Sequence, residues 1–145
     1  MRAALSGAIA ARNDTLSRLR AVAESFLSLY AVPVRTMAEV ELALSEAAAN
    51  ICEHAYRGRD GGPIWYAFRV EDRSLTIELQ DRGVPFRNRK PVADPDWAKL
   101  IEAEADGGFG RFAMQKTMDQ LRYSRRAGRN VLVMTKRLRH AGGSS

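Results

Sequence analysis

The sequence predicts an α+β domain, on three observations. Residues 39 to 56, EVELALSEAAANICEHAY, place Val40, Leu44, Ala47, Ala48, Ile51 and Ala55 at three-and-four spacing. That spacing makes one apolar stripe on a helix that must lie against a sheet or another helix. Residues 64 to 81 alternate as an antiparallel hairpin with one buried face, and residues 120 to 138 predict a second pair of strands. The 145 residues, 16.1 kDa in mass, suffice for one domain with a proper core, assigned to residues 1–145.

Composition narrows the function classes. A hydrophobic content of 46% excludes general disorder, and no apolar run approaches the roughly 20 residues of a membrane span. The first residues, MRAALSGAIAARND, are interrupted by arginines and Asp14, which argues against an export signal and for a cytoplasmic protein. Cys52 is the single cysteine, so no internal disulfide forms, and it reads as a small core or boundary residue. The net charge of +6 and pI near 10 favour an anionic ligand or partner. The basic residues are scattered, without the clustered helix or aromatic platform of a nucleic-acid reader.

Taken in order, residues 2 to 11 fit either a short strand or a frayed helix. Asn13 or Asp14 suits an N-cap for a helix whose Leu16, Leu19, Val22, Ala23, Phe26, Leu27 and Tyr30 repeat at helical spacing. Pro33 ends that element and can open the next. On the central helix Glu39, Glu46, Asn50, Glu53 and Arg57 oppose the apolar stripe. Glu46 and Asn50, four apart, stand one turn above the other and can reach one small object, such as a magnesium ion or an aimed water. The same side could equally be an ordinary solvated face.

Arg57 to Pro63, RGRDGGP, is a turn into the strand IWYAFRVE, and Asp72-Arg73 turns back into Leu75 to Asp81. Leu75, Ile77 and Leu79 alternate with Thr76, Glu78 and Gln80, and Asp81 continues the odd-numbered, inward series. A carboxylate aimed inward needs donors to meet it, which a ligand N–H would supply. Alternatively the strand ends there and Asp81 opens the turn with Gly83.

Residues 82 to 108 form a long irregular stretch with three of the five prolines and a short helical candidate from Asp96 to Ala105. Such a connection is commonly functional, and residues 87 to 105 are expected to form a lid. Arg87, Arg89 and Lys90 could face phosphates or simply solvent. In GGFGRFAMQKTMDQL, glycines lead into a helix whose first N–H groups can hold an anion, though many such clusters are plain caps. Residues 139–145 are expected to be a disordered tail.

Three segments stand in one order: E-x-x-x-N followed by His54-Ala55-Tyr56, then D-R-G-V-P-F, then G-G-F-G-R-F running to Met118-Asp119. Together they resemble the ATP-binding boxes of the GHKL superfamily. The spelling SEAAANICEHAY and DRGVPF is most similar to the bacterial anti-sigma-factor serine kinases, over about Leu42 to Tyr123. The resemblance implies a two-layer α/β sandwich, with a mixed, mostly antiparallel sheet carrying helices on one face. It implies that Glu46 activates the attacking group and that Asn50 ligates Mg2+ beside the phosphates. It further implies that Asp81 accepts from the adenine amino group and that Gly83 lets adenine pack on the backbone. Gly108 and Gly110 would bring the phosphates of ATP to a helix N-terminus. Arg87 is basic where the family is often acidic, and Arg111 replaces an apolar residue after Gly110. Arg111 could reach a phosphate, or stand in for a basic residue that some relatives carry where Asp106 stands here.

Two functions follow from that resemblance. In one, the chain is an ATP-dependent serine kinase and anti-sigma factor that holds a sigma factor and phosphorylates a serine of an anti-sigma antagonist. In the other, it is a nucleotide-binding switch that transfers nothing; a carboxylate at Glu46 favours the first. A histidine-kinase catalytic domain fits less well, because no helical dimerisation segment with a phosphoacceptor histidine is seen. Relatives commonly form dimers, so a homodimer is also expected.

Overall fold

The computed structural model describes residues 2–85 and 114–139. The expected lid, the helical candidate at 96–105, Arg87, Arg89, Lys90, Asp106, Gly108, Gly110, Arg111 and the tail beyond residue 139 lie outside them. The described elements are β1 (Arg2–Ala10), α1 (Thr15–Leu27), α2 (Val34–Asn50), β2 (Pro63–Glu71), β3 (Ser74–Asp81), β4 (Gln120–Arg126) and β5 (Arg129–Arg137). Residues 114–117 are also helical.

The strands form one sheet in the order β1-β2-β3-β5-β4, and all four pairings are antiparallel. The ambiguous N-terminal stretch is thus a strand, pairing Arg2 through Ala10 with Glu71 through Pro63. Two hairpins close on two-residue turns with positive φ at both positions: Asp72 (51°) with Arg73 (61°), and Ala127 (51°) with Gly128 (78°). That backbone matches the right-handed twist of the flanking strands.

Both long helices cover one face of the sheet. Leu19, Ala23 and Leu27 of α1 and Val40, Leu44 and Ala47 of α2 meet Phe68, Leu75, Ile77 and Met134 in one buried core. Asp14 is the residue before α1, as its type suggests, but its carboxylate takes the Arg18 Nε at 2.9 Å instead of capping an amide. Thr15 does the local work: its Oγ1 accepts the Arg12 N–H at 2.7 Å. Pro33, with φ −61°, precedes the first residue of α2, where a missing N–H costs nothing. Among the described residues no element covers the other face of the sheet.

Candidate functional site

The site grows from the C-terminal end of α2. There the α-helix passes directly into a single π-helical turn, Ile51–Ala55, closed by the Tyr56 N–H on the Ile51 carbonyl at 2.9 Å. Such widened turns occur mostly where a helix must re-aim side chains. The turn is held by Tyr56, whose hydroxyl donates to the Pro63 carbonyl and accepts the Arg82 N–H at 2.9 Å. The helix end is thereby fastened both to the start of β2 and to the residue that follows β3.

Opposite this turn, β3 delivers Asp81. Its burial alternates through Leu75, Ile77, Leu79 and Asp81, and Asp81 is only 4% exposed. Both readings of this residue hold: it points inward, and its Oδ1 also accepts the Gly83 N–H at 2.9 Å to open the turn. The same Oδ1 accepts Asn130 Nδ2 at 2.9 Å, and Asn130 Nδ2 also reaches the Val84 carbonyl at 2.8 Å. Arg125 Nη1 in turn donates to Asn130 Oδ1 at 2.9 Å and to the Gly83 carbonyl at 3.2 Å. Among the described residues Oδ2 of Asp81 receives no hydrogen bond. Burial pushes the Asp81 carboxyl above the usual carboxylate range, against the opposing pull of Asn130, Gly83 and Arg125.

Gly83 has a direct steric reason. A Cβ there would lie 2.2 Å from the Ala55 carbonyl oxygen and 2.4 Å from its carbon, and Val84 N–H donates to that oxygen at 2.9 Å. Only glycine lets the turn after β3 press against the π-helical turn.

A cleft opens between these parts, lined by Ala47, Asn50 and Ile51 on the helix side and by Leu79, Asp81 and Asn130 on the sheet side. Tyr123 and Leu132 complete its wall. The apolar walls and convergent polar groups have the make-up of a small-molecule site. Asn50, expected on the polar side of its helix, borders this cleft, and its Nδ2 is buried with no hydrogen-bond partner among the described residues. An amide left unpaired inside a protein is costly unless a ligand meets it. Glu46 lies one turn earlier, half-buried and outside the lining, with no hydrogen bond or ion pair to a described residue.

The structure therefore brings Asn50 and Asp81 to one cleft, with Glu46 beside it; Gly83, bonded to Asp81, lines the neighbouring concavity on the other side of Ala55. Sequence reasoning missed Asn130, Arg125 and the clamp role of Tyr56. Asn130 faces Asp81 directly across the β3–β5 pairing, so correct strand register would have found it. No group of three or more His, Cys, Asp or Glu gathers among the described residues, so these residues would give a metal here few ligands. That suits magnesium, which keeps waters and substrate oxygens in its shell.

The model of the histidine kinase-like ATPase domain family matches residues 9–136. The chain is 28% identical over 127 residues to an anti-sigma F factor of Clostridium acetobutylicum, covering 88% of this chain and 87% of that protein. It is 32% identical over 103 residues to the serine-protein kinase RsbW of Bacillus pumilus, covering 68% of this chain and 63% of the relative. In fold it is similar, with a TM-score of 0.68 at 20% identity, to the structure of the RsbU and RsbW domains of Rv1364c from Mycobacterium tuberculosis. That likeness covers 96% of this chain and 34% of the longer one.

Proposed function

The chain belongs to the histidine kinase-like ATPase domain family, and from that premise we propose that it is an ATP-dependent serine-protein kinase acting as an anti-sigma factor. One observation carries the reading: a buried Asp81, whose Oδ2 receives no hydrogen bond from the described residues, shares a cleft with Asn50, whose Nδ2 is likewise without a partner among them. An adenine amino group is the donor that Oδ2 lacks, and the apolar walls from Ile51 and Leu79 suit a flat ring. Arg125 and Asn130 hold Asp81 so that one oxygen is already engaged and the other is presented.

Asn50 would hold Mg2+ through its amide oxygen, with the helix end fixing its direction. Bound there, the ion would supply charge neutralisation to the phosphates. Glu46 would take the proton from the hydroxyl of a substrate serine as that oxygen forms its bond to the γ-phosphorus and the bond to the ADP oxygen breaks. Among the described residues it has no other partner, which leaves it available for that task. Gly108, Gly110 and Arg111 would meet the phosphates. The substrate serine would lie on an anti-sigma antagonist, and the sequestered partner would be a sigma factor in the cytoplasm.

Labelled phosphate transfer to a candidate antagonist tests the reading. Glu46→Gln should leave nucleotide affinity intact and lower transfer by roughly 100-fold or more, the usual scale of general-base help. Tight ATP binding by the wild type with no label on any antagonist would favour a nucleotide-binding switch. Transfer unchanged in Glu46→Gln would remove Glu46 as the base.

A further inference from the structure

The face of the sheet that no described element covers has its own chemistry. Strand alternation and register place Arg2, Arg69, Arg122, Arg126, Arg129 and Arg137 on it, against the two acids Glu71 and Glu78. The helical side is the reverse: from Arg12 to Glu53 four arginines meet six acidic residues. Among the described strands and helices, the positive charge is therefore concentrated on the side away from the helices.

These arginines fall into two sets. Arg126 pairs with Glu78 at 3.3 Å, Arg2 pairs with Glu71, and Arg129 lies 3.5 Å over the ring of Trp65 while donating to Gln80 at 3.3 Å. Arg69, Arg122 and Arg137 are exposed, and their guanidinium groups make no hydrogen bond or ion pair to a described residue. Arg69 and Arg137 line a shallow concavity together with Ser74, Thr76, Asp72 and Glu71, the last already paired with Arg2. Arg122 stands farther along the same face, beyond β5.

We infer that this face docks an acidic, carboxylate-rich segment of a partner protein, with Arg69 and Arg137 as one anchor and Arg122 as another. Three observations select that occupant. Every cation on the face is an arginine, whose planar fork matches carboxylates in pairs. The ion pairs already formed there are to carboxylates, which shows the geometry that the face accepts. Trp65, which could have stacked a base, is capped by Arg129, so a nucleic acid would find phosphate contacts but no platform among the described residues of this face. A second copy meeting it face to face would oppose like charges. The inference does not depend on the kinase reading, because none of these residues borders the cleft.

The test is a fluorescence-anisotropy titration of the full chain with a labelled oligo-glutamate peptide, beside a labelled DNA duplex and phosphatidylglycerol vesicles. The triple variant Arg69→Gln, Arg122→Gln, Arg137→Gln is compared with Arg18→Gln, Arg20→Gln, Arg35→Gln, which removes equal charge from the helical side. The sheet-face triple should weaken peptide binding about tenfold or more, and the helical-side triple about threefold or less. Unchanged ATP affinity in both triples verifies the fold, and Arg122→Gln alone replaces the sheet-face triple should that variant not fold. Equal loss in both triples, or no saturable peptide binding, overturns the inference. So does tighter binding of the duplex or the vesicles.

Discussion

The two ends of the layer between α2 and the sheet are built from the same elements to opposite purpose. At the end where α2 begins, Val40, Leu75, Met134 and Leu138 close a dry core. Lys136 there tethers Glu39 at 3.1 Å and also donates to the Thr117 carbonyl. At the end where α2 finishes, the helix widens into a π turn, and Asn50, Asp81 and Asn130 replace aliphatic side chains. β3 contributes to both ends by one alternation, with Leu75 and Ile77 in the dry part and Asp81 in the polar part. The difference teaches that the polar end costs stability in the free protein, a cost expected of a site kept for a ligand.

The largest effect should come from the dry end. Ile77→Ala should destabilise the fold by about 2–5 kcal/mol, as expected for a buried aliphatic that leaves a cavity. Urea unfolding measures this, and nucleotide affinity of the folded fraction should be unchanged. An equal fall in affinity would show that the two ends are not separable.

Next is Gly83→Ala, which forces a methyl group onto the backbone of Ala55. Because backbone cannot swing aside, a loss of about 1–3 kcal/mol is expected. Here stability and nucleotide affinity should fall together. Wild-type values for both would mean that the contact with Ala55 is not needed.

The smallest effect should have the opposite sign. Asp81→Asn keeps an oxygen for the Gly83 and Asn130 donors but removes a buried charge. The free variant should be more stable than wild type near neutral pH, by about 0.5–1 kcal/mol. Burial raises the Asp81 pKa in the fold, so the native state binds its proton more readily than the unfolded chain. The stability associated with that proton is present at low pH and lost as pH rises through the raised native value. The advantage of Asp81→Asn should therefore shrink as pH falls through that value. Thermal melts over the acidic range would check it; an advantage that does not vary with pH would assign the effect to another cause.

Much of this molecule was legible in its residues. The period-two run from Leu75 placed Asp81 inward, and the apolar stripe placed α2 against the sheet, because both signals arise from burial along one element. Ala43 is also buried on α2 and makes the apolar stripe wider than Val40, Leu44, Ala47 and Ala48 alone imply. What resisted reading was relational. Asn50 borders the cleft instead of facing solvent because the helix ends beside β3, which no periodicity within α2 encodes. Asn130 and Arg125 matter through strand register and a turn at Ala127-Gly128, and Gly83 through its contact with a distant helix end. The first residues were ambiguous because β1 is an edge strand of small residues, RAALSGAIA, whose partner lies more than fifty positions away.

The account rests on the polar end of the layer being an adenine site, and calorimetry tests that most directly. Wild-type protein should bind ATP with magnesium and discriminate against GTP, whose base presents a carbonyl where Asp81 needs a donor. Asp81→Asn should remain folded and lose about 1–3 kcal/mol of ATP affinity, the scale of a mispaired buried polar contact. A folded Asp81→Asn protein that binds ATP as tightly as the wild type would contradict the account.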